Sequence, residues 1–166
     1  MVKLIYIFLI MLSFNNVHSK DIYGKPKIVD GDTIHIKTYK IRLEGIDAPE
    51  INQQCKKSFL KISSVIGFDI KRNYSCGIIA KKKLTDKINN ENLRCTSTSR
   101  DRYKRYLATC YKNKINLNKW MVRNGFAVAY KIYSKDYVRD EEYARKNKLG
   151  IWNGTFTRPE NWRKLN

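Results

Sequence analysis

The sequence predicts an α+β fold that is mainly β-structure, a five-stranded barrel with about three helices. Short segments in which apolar and polar residues alternate are typical of half-buried strands, and several occur in the first half of the chain. Segments whose apolar residues share one side of a helix follow them. The chain has 166 residues, which suits one domain with its own hydrophobic core.

The first 19 residues have the composition of a signal peptide. Lys3 precedes an apolar run over residues 4–14, and Ser19 supplies a small residue for cleavage. The run is shorter than the roughly 20 residues that span a bilayer. We expect cleavage after Ser19, export to a secreted or periplasmic location, a single mature domain over residues 20–166, and no stable membrane association. An uncleaved N-terminal anchor helix is the alternative.

Three strand segments follow a short basic lead over residues 20–27. They cover residues 27–30, 33–37 and 39–46. In the last two, isoleucine and leucine alternate with polar residues, so one face of each strand is expected to be buried. Pro49 ends the third segment, because proline cannot donate a hydrogen bond to a neighbouring strand.

Residues 51–75 are polar and irregular, which predicts a loop with one short helix around residues 59–66. The remaining elements are a helix that begins at Cys76, strands over 93–98 and 106–112 that form a hairpin, a helix over 117–124, an extended segment over 126–130 and a helix over 137–148. Five short strands with an inserted helix suit a small closed β-barrel of the OB-fold type.

The chain is strongly basic, with 34 Lys and Arg against 15 Asp and Glu and a formal charge of +19. A surplus of this size attracts polyanions and accelerates their capture. Nucleic acid is the leading candidate, and anionic lipid or acidic polysaccharide are the alternatives. Charge alone does not choose among these partners.

Four cysteines remain after signal cleavage: Cys55, Cys76, Cys95 and Cys110. An even number in an exported chain favours two disulfides, for which three pairings exist. We favour Cys55–Cys76, which would attach the long loop to the following helix, and Cys95–Cys110, which would face each other across the hairpin. A zinc site is disfavoured, because no Cys-x-x-Cys pair occurs and His35 is the only histidine beyond the signal peptide.

Three blocks combine acidic residues with arginine. They are VDGDT at residues 29–33, IRLEGIDAPE at 41–50 and DRYKR at 101–105. Hydrolysis of a phosphodiester requires a polarising cation, a base near the attacking water and positive groups around the phosphoryl oxygens. Taken separately, the blocks could be an ordinary turn, a solvated strand face and a charged hairpin tip. Together they supply every charge type that this chemistry needs.

In their order and content, the three blocks resemble the signature of the staphylococcal nuclease (thermonuclease) family. The resemblance covers nearly all of residues 25–152. It implies a Ca²⁺-dependent nuclease that hydrolyses DNA and RNA with little sequence specificity. A catalytically silent, basic OB-fold module that binds nucleic acid or another polyanion is the alternative. The carboxylates argue against a pure binding module, because unneutralised acids repel a polyanion.

The resemblance also implies a set of acidic site residues. Asp32 and Asp47 match the family's direct Ca²⁺ ligands, and the main-chain carbonyl of Ala48 matches a third. The family usually has threonine in place of Ala48, but any residue supplies a carbonyl. Glu50 matches the carboxylate that activates or orients the attacking water. Asp30 matches an acidic position near the ion that does not bind it directly.

The remaining implied residues contact the substrate. Arg42 and Arg105 match two arginines that hold the scissile phosphate, for which a planar guanidinium offers two parallel donors. Tyr130 and Tyr133 match tyrosines that pack against the nucleotide. Lys104 replaces a glycine of the family pattern, where glycine commonly has positive φ, so the turn that carries Arg105 is expected to be strained or reshaped. We expect a monomer.

Overall fold

The computed structural model describes residues 19–62 and 68–166. Its strands are β1 (Lys20–Gly24), β2 (Pro26–Ile28), β3 (Thr33–Ile36), β4 (Tyr39–Leu43), β5 (Ile46–Asp47), β6 (Gln54–Ile62), β7 (Phe68–Ser75), β8 (Leu93–Arg100), β9 (Tyr106–Lys112), β10 (Ile115–Asn116), β11 (Val128–Ala129) and β12 (Gly154–Thr155). Its helices are α1 (Cys76–Ile88), α2 (Leu117–Arg123), α3 (Val138–Lys146) and α4 (Pro159–Leu165), with a short 3-10 helix over Gly150–Asn153.

The main sheet is curled, and its strands lie in the order β1-β8-β9-β4-β3-β2, with β10 beside β9. The predicted alternation is present: Ile34 of β3 pairs with Ile41 of β4, and both side chains are fully buried. Helices α1 and α2 contribute buried residues such as Leu84 and Met121 to the same core. The predicted fold class, an α+β structure that is mainly β, is confirmed, with four α-helices in the described ranges rather than about three.

Strands β4 and β9 pair in parallel. In this register Ile41 is the partner of Tyr106 and Arg42 is the partner of Leu107. The pairing therefore places the turn over residues 101–105 beside the start of β4. Two of the three charged blocks meet for this reason, although they are far apart in the chain.

The prediction of a loop with a short helix over residues 51–75 is wrong. Residues 54–62 and 68–75 form an antiparallel hairpin, β6 and β7, with Gln54 opposite Ser75. Residues 63–66 of the predicted helix lie outside the described residues. The hairpin is stabilised by long-range contacts that local sequence does not reveal, since β12 pairs with β6 and a disulfide closes its base.

Two terminal elements were also not predicted. The basic lead over residues 20–27 contains β1, whose residues pair with β8, Ile22 lying opposite Cys95. Helix α4 follows the 3-10 helix, and its first residue, Pro159, is buried. Proline is favourable in the first turn of a helix, because its missing N–H would have no intrahelical partner there.

The structure contains the disulfides Cys55–Cys76 and Cys95–Cys110, which is the pairing favoured from the sequence. Cys95 and Cys110 are directly opposite each other on β8 and β9. Cys55 and Cys76 join the base of the hairpin to the first residue of α1. Among the described residues, the helices are all too short or too polar to cross a membrane.

Candidate active site

Arg42 joins two buried aspartates. Its Nη1 donates to Asp32 Oδ1 at 2.7 Å, and its Nη2 donates to Asp47 Oδ1 at 2.9 Å. The aspartate side chains are only 5% and 0% exposed. Asp32 precedes β3, Arg42 lies on the neighbouring strand β4, and Asp47 ends β5. The structure thus brings together three of the residues that the sequence singled out.

The loop before β3 is shaped around Asp32. Asp30 Oδ1 accepts hydrogen bonds from the main-chain N–H groups of Asp32 at 2.9 Å and Thr33 at 2.6 Å. Asp32 Oδ1 accepts from the Thr33 hydroxyl, and its Oδ2 accepts from the N–H of Ala48 at 2.9 Å. Gly31 is required in this loop, because a Cβ there would lie 2.6 Å from the Ala48 Cβ. Asp30 therefore stabilises the turn that orients the Asp32 side chain.

Burial opposes ionisation of both aspartates. It raises the pKa of Asp32 above its ordinary value, although the charge of Arg42 acts to lower it. Burial likewise raises the pKa of Asp47, against the hydrogen bond that this carboxylate accepts from Arg163. Two carboxylates that are close together and shielded from water are stabilised in their ionised form by a compact positive charge between them.

The donor set fits a hard divalent cation. It consists of oxygen atoms, the ligands that Ca²⁺ and Mg²⁺ prefer. Within residues 19–62 and 68–166, no group of three or more His, Cys, Asp or Glu side chains is placed so that it could hold a metal ion. Asp32, Asp47 and the carbonyl of Ala48, which the family resemblance implies, would be the protein ligands, and water would complete the coordination of a cation that takes six to eight oxygens.

Glu50 lies in a tightly packed turn beside these aspartates. Its main-chain N–H donates to Gln53 Oε1 at 3.2 Å, and its carbonyl accepts from the N–H of Gln53 at 2.8 Å. The first turn of α1 packs closely against the same carbonyl, since a Cβ at Gly77 would lie 1.8 Å from Glu50 O. Glu50 Oε1 accepts from Arg163 Nη1 at 2.8 Å.

Arg105 is oriented by its own turn. Its Nε donates to Asp101 Oδ2 at 2.8 Å, and its Nη1 lies 3.4 Å from the Thr33 hydroxyl that contacts Asp32. Lys104 has φ of 62°, the left-handed conformation for which glycine is favoured. The structure keeps this conformation with lysine in place, and Arg105 contacts the Thr33 hydroxyl beside Asp32.

The predicted tyrosines lie on the turn after β11. Their rings contact each other, with centroids 4.9 Å apart and planes inclined at 56°. Tyr133 is 72% exposed, and the N–H of Tyr130 donates to the carbonyl of Gly45, just before the strand that carries Asp47. An aromatic pair with one exposed ring, Tyr133, and one half-buried ring, Tyr130, is compatible with contact to a nucleotide.

Two residues of the site were not singled out from the sequence. Arg163 of α4 donates to Asp47 Oδ1 at 2.9 Å and Oδ2 at 3.0 Å. Asp101 anchors Arg105, and its presence in the same short block was a usable signal. Arg163 had no such signal, because it follows the region of resemblance and reaches the site through tertiary packing.

A family model described as "Staphylococcal nuclease homologue" matches residues 40–154. The matched region includes Arg42, Asp47, Glu50 and Arg105. It begins after the loop that carries Asp32 and ends before α4.

Individual relatives agree with this match. The chain is 35% identical over 146 residues to an uncharacterized endonuclease of Haemophilus influenzae, covering 83% of this chain and 70% of the relative. It is 29% identical over 156 residues to a micrococcal nuclease of Shigella flexneri, covering 83% and 78%. It is also 31% identical over 137 residues to the succinoglycan biosynthesis protein ExoI of Rhizobium meliloti, covering 81% and 66%. With a family match over more than half of its length, the chain belongs to the staphylococcal nuclease family.

Proposed function

We propose that this chain is an exported, Ca²⁺-dependent nuclease that hydrolyses phosphodiester bonds in DNA and RNA with little sequence specificity. Its relatives support a nuclease function, since they include an endonuclease and a micrococcal nuclease. The observation that carries the proposal is the Arg42 guanidinium between the buried carboxylates of Asp32 and Asp47. A site that only bound phosphate would gain nothing from two buried acids.

Asp32, Asp47 and the Ala48 carbonyl would hold the cation. When bound, Ca²⁺ would polarise the scissile phosphoryl group and offset its negative charge. Asp30 contributes indirectly, through the main-chain hydrogen bonds that fix the loop of Asp32. Burial of the aspartates strengthens their attraction for a cation, because the local dielectric constant is low.

The substrate phosphate is assigned to Arg42 and Arg105. A planar guanidinium can donate two parallel N–H hydrogen bonds to phosphoryl oxygens, which lysine cannot reproduce. Glu50 is the general base, accepting a proton from the attacking water. Tyr130 and Tyr133 are proposed to pack against the nucleotide. No base-reading element is needed, because contacts with phosphate carry no sequence information.

Export is proposed from residues 1–19, which would be removed as a signal peptide to leave one domain over residues 20–166. The disulfides Cys55–Cys76 and Cys95–Cys110 support this location, because such bonds persist in oxidising compartments. We propose a monomer in the secreted or periplasmic space, without stable membrane association after cleavage.

A plasmid-degradation assay tests the proposal. The protein should degrade plasmid DNA and RNA in the presence of Ca²⁺, and EDTA should abolish this degradation. Glu50→Gln should reduce the rate of degradation by about 10²–10⁴-fold. Glu142→Gln, which removes the same charge from an exposed position of α3, is the matched control and should leave the rate unchanged. Cleavage that persists in EDTA would exclude this mechanism. Binding without cleavage would favour a silent OB-fold module.

A further inference from the structure

Arg163 occupies both oxygens of one predicted cation ligand. Its Nη1 and Nη2 donate to the two carboxylate oxygens of Asp47 at 2.9 Å and 3.0 Å. The same Nη1 donates to Glu50 Oε1 at 2.8 Å. By contrast, Arg42 uses only one oxygen of Asp47. A single guanidinium therefore covers a predicted cation ligand and the predicted general base together.

The segment that carries Arg163 is fixed to the domain at several points. Arg158 Nη2 donates to the carbonyl of Ala129 at 3.0 Å and pairs with the buried Glu141. The buried side chain of Gln53 donates to the carbonyl of Thr157 at 2.6 Å. Both contacts lie immediately before α4, so the helix starts from a defined position beside the site.

The arginine is strongly held as a cation. A guanidinium is protonated at every pH at which the protein is folded, and this one donates to both Asp47 and Glu50. A permanent positive charge within hydrogen-bond distance of Asp47 repels a second cation at the same oxygens. Its N–H groups also occupy the lone pairs that a metal ion would use.

We propose that Arg163 is a tethered competitor of the divalent cation, and that it sets the cation concentration at which the site becomes active. Cation binding displaces the guanidinium from Asp47, and the same movement frees Glu50. Because Arg163 side-chain exposure is 35%, solvent can receive the displaced group without disruption of the core. This inference rests on the proposed cation-dependent function and adds a residue outside the family match.

Isothermal titration of CaCl₂ into the purified protein, without nucleic acid, tests the inference. Arg163→Ala should lower the Ca²⁺ dissociation constant by about tenfold, as expected when a charged hydrogen-bonded competitor is removed. Lys164→Ala is the matched control: it removes the same charge from the next residue of α4, which is exposed. It should change the dissociation constant by less than about twofold, because charges in water are screened.

Asp47→Asn separates failure of this inference from failure of the proposed function. If Ca²⁺ binds in an Asp47-dependent manner but with equal or lower affinity in Arg163→Ala, the competition is disproved and the cation site stands. If no variant shows Asp47-dependent binding of Ca²⁺, both proposals are wrong. Arg163→Lys, which keeps the charge but not the paired donors, should lie between wild type and Arg163→Ala.

Hydrogen exchange of the wild-type protein provides a second readout that does not depend on a folded variant. Displacement of Arg163 removes a contact between α4 and the domain, so Ca²⁺ should accelerate amide exchange in α4 while it protects the loop of Asp32. Slower or unchanged exchange in α4 on addition of Ca²⁺ would overturn the inference.

Discussion

Asp101 binds both the main chain and the guanidinium of Arg105. Its Oδ1 accepts from the Arg105 N–H at 2.9 Å, and its Oδ2 pairs with Nε at 2.8 Å and Nη2 at 2.7 Å. Burial acts to raise the pKa of Asp101, but these hydrogen bonds outweigh it and lower the pKa below its ordinary value. Asp101 is therefore a charged positioning residue that fixes the direction of Arg105.

Replacement of Asp101 should impair catalysis through Arg105. Asp101→Ala should lower kcat by about tenfold or more, because a displaced guanidinium no longer meets the charge that develops on the phosphate. In an Arg105→Ala background the same replacement should cause little further loss, since the two residues act as one unit. Asp86→Ala, on the exposed side of α1, is the control. Additive losses in the double variant would show that Asp101 acts independently of Arg105.

The contact between Gly77 and Glu50 predicts a second remote effect. Gly77→Ala places a methyl group 1.8 Å from the carbonyl of Glu50, so either the start of α1 or the Glu50 turn must move. We expect a loss of about 1–3 kcal/mol in the free energy of unfolding, typical of overpacking, together with reduced cleavage. Ile78→Ala, at a 54% exposed position, should have neither effect. Crystallography of the variant would show whether Glu50 has shifted.

The left-handed conformation of Lys104 is expected to destabilise the folded protein. Lys104→Gly should raise the free energy of unfolding by about 0.5–1 kcal/mol, since glycine adopts φ of 62° without steric penalty. Lys81→Gly, inside α1, should instead destabilise the protein by about 1 kcal/mol. Urea denaturation of both variants measures the difference. If Lys104→Gly is also destabilising, the turn is not strained by lysine.

The charged partners of the buried Glu141 side chain predict that the stability of the protein depends on pH. Burial acts to raise its pKa, but the charge and hydrogen bonds of Arg158, Lys131 and the Ala129 N–H lower it below the ordinary value of 4.5. A carboxylate whose pKa is lower in the folded state stabilises the protein above the unfolded pKa, and this contribution is lost as the pH falls through the folded pKa.

Glu141→Gln should therefore reduce the free energy of unfolding by about 1–3 kcal/mol at neutral pH, the range for a buried charged hydrogen bond. The difference from wild type should shrink as the pH falls below 4.5. Urea denaturation at a series of pH values provides the measurement. Glu142→Gln, the exposed neighbour, should show no comparable trend. A difference that stays constant down to low pH would contradict the role assigned to the Glu141 charge.

Much of the sheet could be predicted because its signal is local. The alternation of Ile34 and Ile36, and of Ile41 and Leu43, reports directly which face of β3 and β4 is buried. The β6–β7 hairpin lacks such a signal, since its pairing depends on β12 and on the disulfide at its base. Strand β1 likewise forms only because β8 offers it an edge.

The same distinction applies to the candidate site. The family resemblance predicted that Asp32, Arg42 and Asp47 share one site, and the structure brings them together through neighbouring strands joined by short turns. Arg163 could not be predicted, since the position of α4 follows from contacts made elsewhere, such as the one between Arg158 and Glu141. A residue that reaches a site only through tertiary packing has no local sequence pattern that predicts its position.

The parallel pairing of β4 with β9 has a consequence for biosynthesis. During translation both aspartates and Arg42 emerge before the segment that contains Arg105, and that arginine is placed only when Ile41 and Tyr106 become partners. Pairing between distant segments is a slow step of folding. A nascent chain would thus carry both aspartates and Arg42 before Arg105 is in place, and the proposed site would be completed late, after the long-range sheet has closed.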